Sequence, residues 1–239
     1  MESGKEMFSL EELADCHRVH GVVMHDGVYV VDVGKRQLNS GEDRQQSEWA
    51  HYSSEAHKRN DFVVGSLPLY YSLFKTLYDH RDSETHREPV AAMRNWLERY
   101  VNTYYATLSR VYYRREGDEV IHNFGQHNQY SLKGRIGGSN GNLLTANQVD
   151  TACGLLFGSN NPKEINDVFK WLTGKDTFLQ RLDCSWENVV YEEQSLFGAD
   201  YDSFRLIVDG SHDRFYPEDD DYIIKRRPAL GVRAKLILH

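Results

Sequence analysis

The sequence predicts an α+β protein built as one integrated domain. Three observations carry this expectation. A run of alternating apolar residues with an Asp-Gly turn, GVVMHDGVYVVDVG, lies near the start. Amphipathic helical patterns fill the middle of the chain. Beyond residue 175 the short runs TFLQRL, ENVVYEE, SFRLIV and ALGVRAKLIL read as strands.

The hairpin is the clearest early element. Val22-Val23-Met24 and Val28-Tyr29-Val30-Val31 flank His25-Asp26-Gly27, and Asp-Gly is a strong turn signal. Residues 35–60 are polar and poor in apolar residues, which predicts a loop or a loosely ordered arm. Residues 1–64 are therefore expected to form an N-terminal segment packed on a main domain spanning 65–239. Residues 68–80 read as a helix, with Pro68 in the first turn and Leu69, Leu73, Phe74 and Leu77 on one face. A longer helix is expected over 89–112, where Val90, Met93, Leu97, Tyr100, Val101, Tyr104, Leu108 and Val111 recur at three- and four-residue steps and Trp96 joins the edge. This stripe reads as core. GDEVIHNFGQHNQYSLKGRIGGSNGNLL predicts short strands and loops, and residues 146–157 another helix. The strongest helix is NPKEINDVFKWLTGK: Asn161 caps it, Pro162 takes the first position, Glu164 completes a capping box and Gly174 ends it. No internal repeat or low-complexity linker interrupts the chain.

Bulk properties exclude several classes. The 239 residues suffice for one large domain or two small ones. No apolar run approaches the ~20 residues a membrane helix needs. The start, MESGKEMFSLEELADC, lacks the apolar segment of a secretory signal, so cytoplasmic placement is the default and surface display would need another route. The net charge of −8, with no basic cluster larger than Lys225-Arg226-Arg227, argues against nucleic acid. The three cysteines, Cys16, Cys153 and Cys184, have no zinc or disulfide spacing.

Catalytic motifs fail one by one. LTGKDT resembles the end of a phosphate-binding loop, but Phe169 stands where the motif needs a glycine and Gly174 closes a helix where the motif opens one. GRIGGSNG matches no dinucleotide pattern. His122, Asn123 and His127 are the best acid–base or ligand candidates, and a structural role for the histidines is the simpler reading. The acidic run Glu218, Asp219, Asp220, Asp221 could offer oxygens to calcium but lacks the EF-hand spacing. The expectation is a non-enzymatic chain with no catalytic residues, no metal ligands and no cofactor.

Residues 209–222, DGSHDRFYPEDDDY, behave differently. They hold five Asp, one Glu, one Arg, one His, two Tyr and one Phe in no periodic order, a few residues before the apolar ALGVRAKLIL. Tyr offers broad contact at low entropy cost, and Ser, Asp and Gly offer adaptable hydrogen bonds. Arg and Tyr dominate binding hot spots. A catalytic loop needs few groups in one fixed geometry. This mixture is the chemistry of a recognition surface.

With its frame, SLFGADYDSFRLIVDGSHDRFYPEDDDYIIKRRPALGVRAK, the region resembles the variable proteins of diversity-generating retroelements, of the archaeal type. LSRVYYRREGDEVIHNFGQHNQYSLKGRI and INDVFKWLTGKDTFLQRL extend the resemblance, which covers roughly residues 65–239. Leu196-Phe197-Gly198-Ala199 stands where bacterial relatives carry Gly-Gly-Ser-Trp. The resemblance implies a C-type lectin-like fold with several helices and an irregular β-rich C-terminal half. It implies a variable region of about 199–226, rewritten by error-prone reverse transcription, and a Gly-x-Arg strand that closes the fold. It implies a receptor-like function, with an unidentified protein or cell-surface molecule as partner. Position and residue type then assign ligand contact to Tyr201, Ser203, Arg205, Ile207, Asp209, Ser211, His212, Asp213, Arg214, Phe215, Tyr216, Asp219, Asp220 and Tyr222. The alternatives are an enzyme with a site near His122 and His127, or a lectin-like calcium or sugar site near 218–221. For the last, Tyr216-Pro217-Glu218 is only a distant echo of the Glu-Pro-Asn type motif.

Overall fold

The computed structural model describes residues 8–101, 106–112, 118–134, 146–174 and 228–238. The expected hairpin is present. Strands β2 (Cys16–Met24) and β3 (Gly27–Gln37) pair antiparallel across His25-Asp26, with Met24 opposite Gly27. Strand β1 (Ser9–Glu12) adds to β2. Strand β8 (Leu230–Leu238) inserts between β3 and the two-residue strand β4 (Val63–Val64), giving an antiparallel sheet in the order β1-β2-β3-β8-β4. A second antiparallel sheet joins β5 (Ser109–Tyr112), β6 (Asp118–His122) and β7 (Tyr130–Gly134). The class is α+β, as the pattern predicts.

One face of the larger sheet is apolar. Val19, Val22, Val31, Val33, Leu230 and Val232 are buried there in one cluster with helix α2 (Leu67–Asp79), which contributes Tyr70, Leu73, Phe74 and Leu77. Helices α4 (Ala146–Phe157) and α5 (Pro162–Thr173) pack on α2, and α3 (Arg87–Val101) packs on α5. Helix α5 begins as expected: Asn161 Oδ1 accepts the Glu164 N–H at 3.1 Å, and Gly174, at φ 72°, takes the left-handed C-terminal position. The Glu164 carboxylate serves α2 rather than its own cap. It lies 3.1 Å from Lys75 Nζ and accepts from the Tyr71 hydroxyl at 3.3 Å.

Two expectations are corrected. Residues 35–60 are not a loop: β3 runs to Gln37, a 3₁₀ turn covers Leu38–Gly41, and helix α1 spans Gln46–Lys58. Its buried stripe is Gln46, Trp49, Ala50, Ser53 and Ala56, a helical spacing in which small and polar residues flank a single large apolar one, so hydropathy alone does not register it. Gln46 is buried because its amide donates to the Thr107 and Ser109 carbonyls at 2.9 and 2.8 Å and accepts from Arg110 Nε at 2.7 Å. The helix expected over 89–112 ends at Val101, and Ser109–Tyr112 is strand β5, paired with β6. Strand pairing there overrides a period that Val90, Met93 and Leu97 do obey, all three being buried.

On the opposite face of the larger sheet an ionic row crosses three strands. Arg18, Asp32 and Arg233 stand directly opposite one another in register. Asp32, only 5% exposed, accepts Arg18 Nε and Nη2 at 2.7 and 3.0 Å and Arg233 Nη2 and Nε at 2.8 and 3.3 Å. Burial by itself raises the Asp32 pKa; the two guanidiniums overcome this and hold the carboxyl below its ordinary value. Arg233 also lies over the Phe62 ring at 4.7 Å.

Gly231 permits this closure. A Cβ there would stand 2.7 Å from Leu38 Cδ2 and 3.0 Å from Phe62 Cβ. Gly231→Ala is expected to lower stability by about 1–3 kcal/mol through overpacking. Chemical denaturation tests it: a lower midpoint at unchanged slope is the expected outcome, and an unchanged midpoint overturns the close fit of Gly231 against Leu38 and Phe62.

Candidate functional site

The proposed contact residues, Tyr201, Ser203, Arg205, Ile207, Asp209, Ser211, His212, Asp213, Arg214, Phe215, Tyr216, Asp219, Asp220 and Tyr222, lie outside the described residues, as do Glu218, Asp221 and Cys184. The residues that follow the segment, 228–233, are described, and each has a fixed task. The Pro228 carbonyl accepts the Ala106 N–H at 2.9 Å, and the Ala229 carbonyl accepts the Leu38 N–H at 3.0 Å. The Leu230 carbonyl accepts from the Tyr70 hydroxyl at 2.6 Å, and the Tyr70 hydroxyl oxygen in turn accepts the Gly65 N–H at 3.0 Å. Gly231 fits between Leu38 and Phe62. Val232 is fully buried against the helices, and Arg233 completes the ionic row. Ala229, Gly231 and Arg233 point to one face, Leu230 and Val232 to the other, the two-residue alternation of a strand covered on both sides.

This seat also joins the two sheets. Ala106 bonds Pro228, and the Leu108 N–H bonds the Gly65 carbonyl at 2.9 Å just before β5 begins. Sequence reasoning marked PALGVR as framework. It did not find Tyr70 or Asp32. A carboxylate inside the apolar run VYVVDVG was the available signal, since a buried Asp requires cationic or N–H partners.

The histidine candidates separate. His122 is fully buried. Its Nε2 lies 2.8 Å from the Leu155 carbonyl, which can only accept, so Nε2 carries the proton. Nδ1 then accepts from the Ser109 hydroxyl at 2.7 Å, and Ser109 Oγ accepts the Leu67 N–H at 2.8 Å. Burial drives the imidazole pKa down to about 4, against the Leu155 carbonyl, which favours the charged ring. Both nitrogens are occupied and the ring is neutral at pH 7. His122 ties the start of α2 to β5, β6 and α4, and it has no lone pair left for a substrate or an ion. Asn123, at φ 53°, is a turn residue. His127 is exposed and faces the ring of His57 on α1, with centroids 4.7 Å apart.

Among the described residues no group of three or more His, Cys, Asp or Glu side chains is placed to hold a metal ion, and no helix is long and apolar enough to cross a membrane. Cys16 and Cys153 are buried free thiols. Burial raises the pKa of both, that of Cys153 to about 12, so neither is a ready thiolate.

The neutral state of His122 sets a pH dependence. The unfolded chain takes up this proton near pH 6.5, and the folded chain resists it to about 4. The stability it contributes is fully present above pH 6.5 and is lost as pH falls from 6.5 to 4, by at most about 3 kcal/mol. In a histidine NMR titration the His122 ring is expected to stay neutral until the pH nears 4; a midpoint near 6.5 overturns the assignment. Ser109→Ala, which orphans both the Leu67 N–H and His122 Nδ1, is expected to cost about 1–3 kcal/mol in denaturation. Compared with known proteins, the chain matches no family model, no curated protein and no solved structure.

Proposed function

We propose that the protein is a non-enzymatic, receptor-like binder whose residues 199–226 form a changeable recognition surface on a fixed frame, as in the variable proteins of diversity-generating retroelements. The observation that carries this reading is the break at residue 228. On its C-terminal side, every residue from 228 to 233 is committed to a backbone bond, a close contact, the core or the ionic row. On its N-terminal side lie Tyr, Asp, Ser, His, Arg and Phe with no period. A frame of committed residues can tolerate substitution next to it, because replaced side chains outside the core shift stability little. Rigid scaffolds that carry variable loops use this division of labour.

The pairing of β8 with β3 supports a C-type lectin-like frame, in which the Gly-x-Arg strand closes the sheet. Residues 199–226 hold eight Asp or Glu and four Lys or Arg, which favours a partner with a basic surface and steers encounter electrostatically. The partner is a protein or a cell-surface molecule. The bonded, neutral His122 leaves the enzyme alternative without its best acid–base group.

Deep sequencing of the 3′ end of the gene and its flanking DNA, in the source population, tests the proposal. Substitutions are expected to concentrate in codons 200–226, to spare codons 228–233, and to map to adenines of a nearby near-identical repeat. An invariant segment without such a repeat sinks the reading. At the protein level, Tyr201→Ala and Tyr216→Ala are expected to leave cooperative thermal unfolding intact; its loss would assign those residues to the core.

A further inference from the structure

We propose that His57 and His127 form a binding site for an imidazole-preferring divalent metal ion of the zinc, nickel and copper class. The inference is independent of the variable-surface reading. His57 sits in the last turn of α1 and His127 in the turn between β6 and β7. Their rings meet at 4.7 Å between centroids, tilted by 35°. Both residues are exposed, and among the described residues nothing hydrogen-bonds to either ring. Two unclaimed imidazoles from separate elements thus face each other at the surface.

The pair is held in place by its supports. The Gln126 side-chain amide donates to the Ala50 carbonyl on α1 at 2.8 Å. The turn is closed by Gln126 N–H to the Asn123 carbonyl at 2.9 Å and by Gly125 N–H to Gln129 Oε1 at 2.8 Å. Gly125 lies so close to α1 that a Cβ would stand 2.9 Å from the Ala50 methyl. The Lys58 ammonium next to His57 is engaged by Glu55 at 2.6 Å. With both rings already together, the second nitrogen binds at high effective concentration once the first has bound.

Imidazole nitrogens suit zinc, nickel and copper at about 2.0–2.1 Å, and rings whose centroids lie 4.7 Å apart are close enough to share one ion. Water or a further ligand fills the remaining positions, so the site is open. Calcium and magnesium, which require several oxygen ligands, are not accommodated by two imidazoles.

Isothermal titration of the full chain with zinc, nickel and calcium chlorides, followed by histidine NMR, tests the site. One equivalent of zinc or nickel is expected to bind and to shift the His57 and His127 ring signals together, while calcium gives no binding heat. His57→Ala and His127→Ala, both at exposed positions, are expected to keep the melting transition and each to weaken binding roughly tenfold or more. Absence of zinc and nickel binding overturns the proposal. So does binding that survives unchanged in the double variant, which would place the ion on others of the 11 histidines.

Discussion

Everything in the larger sheet depends on one insertion: β8 must fit between β3 and β4. Its pairing with β3 joins residues 201 positions apart, as the Asp32–Arg233 bond measures. Contacts this distant in sequence are entropically expensive to form and slow to find. Several interactions act together to make the inserted position unique. A one-residue slip of β8 would put Val232 on the polar face and Arg233 toward the helices, and would separate Arg233 from Asp32. The ionic row is thus a register device. Its carboxylate is nearly buried, so losing either the alignment or one arginine leaves a costly charge.

Tyr70 extends the same constraint to the helices. Its hydroxyl takes a proton bond from Gly65 and gives one to Leu230, so the start of α2 and the start of β8 share one oxygen. Ser109 and His122 repeat the arrangement nearby, linking the Leu67 N–H to the Leu155 carbonyl through a hydroxyl and a neutral ring. Buried polar groups here are bonded in chains across elements, which makes them specific as well as tolerated. From residue 228 onward the chain is bound into this frame by the Pro228, Ala229 and Leu230 carbonyls.

His122 and His127 show how one residue type is divided by environment. They stand five positions apart in IHNFGQHNQY. One occupies a strand position whose side chain points into the core, and dehydration keeps it neutral. The other sits on a turn in water, opposite a histidine from a helix that hydropathy does not reveal. No sequence spacing relates His57 to His127; docking of the β6–β7 turn on Ala50 does.

The sequence by itself determined the hairpin, the α2 core face and the beginning and end of α5, because Asp-Gly turns, helical periods, an Asn cap and a left-handed glycine act within a few residues. It also marked 228–233 as framework and 209–222 as chemically unlike it. Only the tertiary structure decided that residues 46–58 form a helix, since its buried stripe holds one large apolar residue, Trp49, among Gln, Ala and Ser, and Thr107, Ser109 and Arg110 must satisfy the buried Gln46. The same holds for β5, where a partner strand outweighed helical periodicity, and for the ionic row, the Tyr70 bridge and the His57–His127 pair. Each of these depends on a contact beyond the reach of one helical turn, most of them between residues remote in the chain, and its energy exists only once the fold has brought the partners together.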